Sequence, residues 1–508
     1  MTTTPLHFNL PANLTIKKFL EQLNKVIDFQ ITTQQYTITT FYDSFDWRLY
    51  NADMICEFNH SQTSSNLRLI DQNSGEIIAL QEMQDIPSFS AQFPEGRLKT
   101  YLEYKLEMRA LLPLTQLPHE VYRINILNKD QKIILRIQID EYEILTNRVH
   151  LQPLKGYEKA TKKVSDLLQK SLQLKPVHCT ALNAALKQQH RKPKDYSSKL
   201  VIKLKPDMRA DKASKVIFGH LLQAMQVNEA GTIADTDTEF LHDFRVAVRR
   251  TRACLNQMKN ILPSTAIKEH SAFFAWLGQI TGPTRDLDVY LLNYEQYKSA
   301  LPPSLREDII PLYAFLKEKQ IYAQKELAEK LQSSKYSKQL TAWEHYLKEP
   351  LAEQEKGKSL TIKEQADQRI WKVYKRVLRE GHAIKESSPA EALHDLRKTC
   401  KKLRYLMEFF QSLYHEDNIK TLIKALKKFQ SVLGDFQDYE IQELKLKQYS
   451  QEMKDNNVST NTFLSMGVLI QYLDTMRYAA RKDFAKQFDL FKQTKYQTTF
   501  KSLFSHKA

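Results

Sequence analysis

The chain has 508 residues, enough for two or more domains with cores of their own, and carries 75 Lys+Arg against 59 Asp+Glu for a formal net charge of +16. Only 11 glycines occur, and neither a Walker-type nor a Rossmann-type glycine loop is present, which excludes nucleotide binding through those loops. The charge is uneven: residues 1–150 hold 14 Lys+Arg and 18 Asp+Glu, residues 151–508 hold 61 and 41, so the attraction for an anion resides in the later part.

Polyanions are therefore the natural ligand class: nucleic acid, an acidic membrane surface or inorganic polyphosphate. Cys56, Cys179, Cys254 and Cys400 stand far apart with no CxxC pair, so neither a disulfide framework nor a zinc knuckle is expected, and a reducing compartment fits. The opening MTTTPLHFNLPANLTIKK lacks a basic-then-apolar signal pattern, and no run approaches the roughly 18 apolar residues of a membrane span. A cytoplasmic protein is expected.

In chain order, Ile16–Ile27 reads as an amphipathic helix. Short β-rich segments follow, QQYTITTFYDS, GEIIALQEM, LKTYLEYKLEMRALL and KIILRIQIDEYEIL, with turn signals at Asn73–Gly75 and Asn128–Asp130. Alternation of Ile133, Leu135, Ile137 and Ile139 predicts a half-buried antiparallel strand. A helix, EKATKKVSDLLQKSL, closes this α+β domain, placed at 1–175. A linker is expected over 176–204, its lysine-rich part KQQHRKPKDYSSK at 187–199. From 205 to 508 helical periodicity dominates, punctuated near Pro263, Gly282–Pro283, Pro302–Pro303, Ser387–Pro389 and Gly434.

The helical part repeats itself. LHDFRVAVRRTR (241–252) returns as LHDLRKTCKKLR (393–404), an offset of 152 residues, and the same offset carries GPTRD (282–286) onto GDFQD (434–438). Two repeats, about 205–350 and 360–500, are expected, with a pseudo-twofold bringing their equivalent stripes toward one surface.

On a helix, His242, Arg245, Arg249 and Arg252 fall within an arc of about 80°, and His394, Arg397, Lys401 and Arg404 do the same. Phe244, Val248, Leu255 and Met258, and Leu396, Cys400, Leu403 and Met407, supply the buried faces. A third stripe, Arg369, Lys372, Arg376 and Arg379, has the same spacing. Like charges at i, i+4 cost a few tenths of a kcal/mol each, so the ladders need acids or a ligand to offset them. Arginine forks and mobile lysines suit phosphate; the bland alternative is a solvated basic face. His242 and His394 serve equally as helix-start hydrogen bonders, Asp243 and Asp395 as helix N-terminal charges or arginine partners, and Asp286 and Asp438 as stabilisers of helix starts.

Those motifs, with LGQITGPTRDLDVYL and LKKFQSVLGDFQD, resemble the two halves of the CHAD family over about 205–500. The resemblance implies two four-helix bundles about a pseudo-twofold and a basic surface that recognises inorganic polyphosphate. Carried over by position, its binding residues are His242, Arg245, Arg249, Arg252, Arg285, His394, Arg397, Lys401 and Arg404; Gln437 stands where the first copy has Arg285, implying a weaker grip there.

Residues 5–175 resemble a diverged CYTH domain, the triphosphate-tunnel fold with its barrel-like antiparallel sheet, through TTFYDSFDWRLYNADMICEF, LRIQIDEYEI and VHLQPLKGYEKATKKVSDLL. Its opening Glu-x-Glu-x-Lys strand is missing, and His150 and Gln152 replace a late acidic pair. Arg68, Lys105, Arg109, Arg123 and Arg136 remain for an anion, and Glu103, Glu107, Asp140, Glu141 and Glu143 for a residual metal site.

The expected function is polyphosphate binding, including docking on polyphosphate granules, with no catalytic residue, metal or cofactor and no membrane partner. The alternatives are a metal-dependent triphosphatase or polyphosphatase in the first domain, and general nucleic-acid binding. For the latter no recognition-helix pattern or aromatic-studded basic strand speaks.

Overall fold

Alternation decides the first part of the chain and 3.6-residue periodicity the second. The computed structural model of the protein describes residues 6–177, 179–198, 200–258, 261–350, 361–454 and 458–505, and the chain divides into two compact units, Met1–Ser197 and Ser198–Ala508.

Unit 1 is built from β1 (His7–Asn9), α1 (Ile16–Asn24), β2 (Phe29–Asp43), α2 (Arg48–Asn51), β3 (Met54–Ser61), β4 (Ser65–Asp71), β5 (Ile77–Glu82), α3 (Arg97–Leu106), β6 (Leu112–Leu127), β7 (Ile133–Tyr142), β8 (Arg148–Pro153), α4 (Glu158–Lys170), β9 (Lys175–Pro176) and α5 (Ala181–Gln188). Its nine strands form one antiparallel sheet in the order β5-β4-β3-β2-β6-β7-β8-β1-β9.

Leu135, Ile137 and Ile139 of β7 share one face and pack under α1 and α4 with Phe19, Leu23, Val164 and Leu168. Their neighbours Gln138 and Asp140 point to the other face. That face curls around a polar cavity of about 140 Å³ lined from six strands, among them by Thr37, Asn59, Arg68, His119, Arg123 and Gln138.

Two expectations change here. LKTYLEYKLEMRALL is not a strand: Leu98, Leu102 and Leu106 recur every fourth residue and are buried on one side of α3, and this spacing outweighs the β propensity of Thr100, Tyr101 and Tyr104. The segment 176–204 is not simply a linker, because Thr180 caps α5 and Leu182, Ala185 and Leu186 of that helix pack on Phe41, Trp47 and Leu117.

Unit 2 is helical: α6 (Ala210–Ile233), α7 (Thr238–Gln257), α8 (Ser264–Ile280), α9 (Gly282–Leu292), α10 (Tyr294–Ala300), α11 (Ile310–Leu331), α12 (Ser334–Lys348), α13 (Ile362–Ala383), α14 (Ala390–Phe410), α15 (Glu416–Met453), α16 (Thr460–Phe491) and α17 (Thr494–Phe504). The 152-residue offset lays α6 on α13, α7 on α14, α8 with α9 on α15, and α11 on α16. Gly434 breaks nothing, since α15 runs through it. The first copy splits at the same place because Pro283 lacks the N–H that would continue the ladder.

One core joins the copies, with Phe244, Val248 and Leu255 of α7 and Leu396, Leu403 and Met407 of α14 in it. A second cluster, with Tyr290, Tyr297, Leu316, Tyr449 and Leu469, holds α9, α10 and α11 to α15 and α16.

Candidate functional site

The two ladders sit on α7 and α14, which pack against each other. Asp237 begins α7 by accepting hydrogen bonds from the backbone N–H groups of Glu239 and Phe240, and the apolar positions then bury one side. That burial fixes the rotation of the helix, so His242, Arg245 and Arg249 lie half-buried at the edge of the core and Arg252 lies exposed. On α14, His394, Arg397, Lys401 and Arg404 are likewise half-buried.

Each ladder is anchored by the following helix. Arg245 donates to Thr281 Oγ1 at 2.8 Å, and Arg397 donates to Gln437 Oε1 at 2.6 Å and to Asp438 Oδ1 at 3.2 Å. The guanidinium of Arg245 lies against Gly282 and that of Arg397 against Gly434, equivalent contacts at equivalent positions. Arg285 donates to His242 Nδ1 at 3.0 Å and to the carbonyl of Thr238 at 3.2 Å. His394 Nε2 lies 2.7 Å from Glu440 Oε2.

These partners bear on three readings. The histidines sit in the second turn and contact the neighbouring helix, His242 through Arg285 and His394 through Glu440. Asp438 lies inside α15 and pairs with Arg397, so it stabilises no helix start. Gln437, at the position of Arg285, accepts a hydrogen bond from Arg397.

The two stripes meet at Arg249 and Lys401. These positions differ by 152 residues, the repeat offset, and the charge of Arg249 acts directly on Lys401. Tyr290 and Gln442 also differ by 152, and the Tyr290 hydroxyl donates to the Gln442 carbonyl at 2.6 Å. Counterparts that lie this near each other, Tyr290 and Gln442 in direct hydrogen-bond contact, are what a twofold relation between the copies produces.

The cations crowd there. Burial, then repulsion from Arg397, Arg249 and Arg404, pushes the Lys401 ammonium down to about 8 despite Asp438. Burial and then Arg249 push Arg245 down to about 10, and burial also lowers Arg285. The Nε groups of Arg245, Arg249 and Arg397 are buried without a hydrogen-bond acceptor. Unsatisfied charged donors of this kind are costly in a folded chain, and they add to the strain of crowding several cations from two helices at one place.

Sequence reasoning missed Arg250 and Glu408. Arg250 reaches across from α7 to Glu408 at 2.9 Å, and that carboxylate, 7 % exposed, also faces Arg404 at 3.6 Å and Lys427 at 3.8 Å. A single buried acid on α14 gave no signal in the repeat.

The third stripe is separate. Lys372, Arg376 and Arg379 are exposed on α13, Arg369 is half-buried, and Arg376 pairs with Glu380 within its own helix. Among the described residues, none of the four enters the hydrogen bonds or the leading charge couplings of the α7 and α14 cations.

In unit 1 the candidate residues are scattered. Arg68 is paired with Glu57 at 2.9 Å, Arg109 is buried against Asp46 at 3.3 Å, and only Arg68 and Arg123 of the five cations line the cavity. Burial would raise Asp140, but the hydrogen bond and charge of His150 outweigh it and hold the carboxyl at about 2. Glu141 points to the opposite face of β7, accepting from Tyr122 at 3.0 Å, and Glu143 accepts from Tyr36. Among the described residues, no three His, Cys, Asp or Glu side chains are grouped so as to hold a metal ion. Nor, among them, is any helix long and apolar enough to cross a membrane.

Comparison with known proteins agrees with the helical repeat. Residues 216–447, just under half of the chain and including both ladders, match the family model described as CHAD domain. Among solved structures, the CHAD domain from the plant Ricinus communis aligns at 23 % identity and a TM-score of 0.49, covering 58 % of this chain and 96 % of that one. PptA from Streptomyces chartreusis aligns at 15 % and 0.43, covering 56 % and 99 %. A Hippeastrum protein whose description reports a dominant triphosphatase activity aligns at 10 % and 0.30, covering 38 % and 98 %. At such values these structures carry no argument of their own. Comparison with curated proteins gives no match.

Proposed function

We propose that unit 2 binds inorganic polyphosphate along the α7 and α14 ladders and that the protein docks on polyphosphate chains or granules through this surface. The observation that carries the reading is the convergence of half-buried cations from both helices, Arg245 and Arg249 with Arg397 and Lys401, whose charges act on one another. A strand of phosphates supplies closely spaced anionic oxygens that relieve the repulsion among these cations. The family match over 216–447 supports the same ligand class, through what the CHAD resemblance implies.

Arg245, Arg249, Arg397 and Lys401 are the central contacts, with His242, Arg252, Arg285, His394 and Arg404 around them. Arg369, Lys372, Arg376 and Arg379 would extend the basic surface along α13 for a long chain. Hydrolysis in unit 1 is the less favoured reading, because its acids diverge instead of converging on a metal position.

The test is a titration with long-chain polyphosphate of the wild type and of a variant with Arg245, Arg249, Arg397 and Lys401 all changed to Ala. Losing four charge-assisted contacts should weaken binding by at least about a hundredfold near 0.1 M salt. Helix content by circular dichroism should stay the same. Unchanged affinity in the folded variant would defeat the assignment.

A further inference from the structure

We propose that Lys401 is a site of N-acylation by acyl phosphates, the reagent's phosphoryl group docking on the neighbouring arginines and its acyl group passing to the lysine. The inference rests on the phosphate-binding reading of the same surface and adds a regulatory chemistry to it.

The geometry has three parts. Lys401 stands where the two copies meet, half-buried yet open to solvent. Arg397 and Arg404 lie one turn before and one turn after it on the same face of α14, and the charges of Arg249 on α7 and Asp438 on α15 act on it. Among the described residues, no carboxylate forms an ion pair with its Nζ, whereas Lys398 on the same helix is paired with Asp395 at 3.0 Å.

The same surroundings make the amine reactive. Burial and then the three arginines push Lys401 down to about 8 from an ordinary 10.5. Near neutral pH this leaves on the order of a hundred times more free amine than at an ordinary surface lysine.

The step balances without a further reactant. The Nζ lone pair attacks the acyl carbon, the bond from that carbon to the bridging phosphate oxygen breaks, and the electron pair leaves with phosphate. Phosphate takes up the proton lost from nitrogen, so the products are an amide and hydrogen phosphate. Acylation removes the positive charge at the centre of the ladder and so should loosen its hold on a polyanion.

The experiment uses the full-length protein and acetyl phosphate as the probe, with the rate at each lysine read by peptide mass spectrometry. Lys401 should be acetylated at least about tenfold faster than exposed lysines such as Lys372 and Lys398, faster as pH rises toward 8. Inorganic phosphate should slow it by competition, but should not slow its reaction with an uncharged acetylating ester. Treatment should weaken polyphosphate binding by the wild type and leave the affinity of Lys401→Arg where it was before treatment. Acetylation of Lys401 no faster than of Lys372, or a rate insensitive to inorganic phosphate, would overturn the proposal. Because labelling is read without polyphosphate, selective phosphate-sensitive labelling in a protein that fails to bind polyphosphate would overturn the polymer reading and keep this one.

Discussion

Replacing Lys401 by Met should stabilise the protein while weakening its grip on polyphosphate. Lys401 is a charge that the fold holds against burial and three arginines, with only Asp438 in its favour. Its fall from 10.5 to about 8 corresponds to at most about 3.5 kcal/mol, at about 1.4 kcal/mol per pH decade. Screening at a partly exposed ammonium reduces this to about 1–2 kcal/mol. Methionine keeps the stem's packing and removes the charge.

The sign of the pH dependence follows. Between pH 8 and 10.5 the unfolded chain holds the Lys401 proton more tightly than the folded chain, so this residue's contribution to wild-type stability rises with pH across that window. The gap between variant and wild type should therefore be full below pH 8 and shrink toward pH 10.5. Other groups titrate alike in both proteins and cancel. Urea unfolding of both at several pH values reads the gap directly. A variant no more stable than wild type at pH 7, or a gap independent of pH, would refute the claim that the ladder is held in tension for a ligand.

Two further changes probe the framework. Glu408→Gln leaves Arg250, Arg404 and Lys427 without their shared buried acid and should cost about 2–4 kcal/mol in urea unfolding; a cost under about 0.5 kcal/mol would mean that the acid does not hold the copies together. Gly381→Ala places a Cβ 2.2 Å from a ring carbon of Phe488 and should cost about 1–3 kcal/mol, with polyphosphate affinity within about twofold of wild type in the folded fraction.

What the sequence made legible was periodic. Leu135, Ile137 and Ile139 announced their strand through strict alternation, and the 152-residue offset announced the paired helices before any contact was known. Leu98, Leu102 and Leu106 carried an equally clear helical spacing, hidden by β-forming residues between them. Pro283 explains why one copy splits a helix that the other runs unbroken, but only the structure shows that Gly434 alone does not break it.

Pairings between distant helices left no such trace. Gln437 reads as a lost arginine until Arg397 is seen donating to it. Arg250 and Glu408, 158 residues apart, meet only because α7 packs on α14. The charge coupling of Arg249 to its counterpart Lys401 is legible only once the offset and the packing are known together. The α13 stripe has the same spacing as the other two, yet spacing alone does not say which helix faces which.

The most direct test of the central claim is a competition titration: labelled long-chain polyphosphate displaced by unlabelled polyphosphates of increasing length, or by duplex DNA, at equal phosphate. Two related ladders meeting at one axis should bind a flexible chain with affinity that rises until both are spanned, since the second engages intramolecularly. Duplex DNA, with a persistence length of about 150 bp, should follow such a surface poorly. The account predicts that long polyphosphate outcompetes DNA and that Arg397→Ala with Lys401→Ala removes most of the length dependence. Equal competition by DNA, or a length dependence that survives in the double variant, would contradict it.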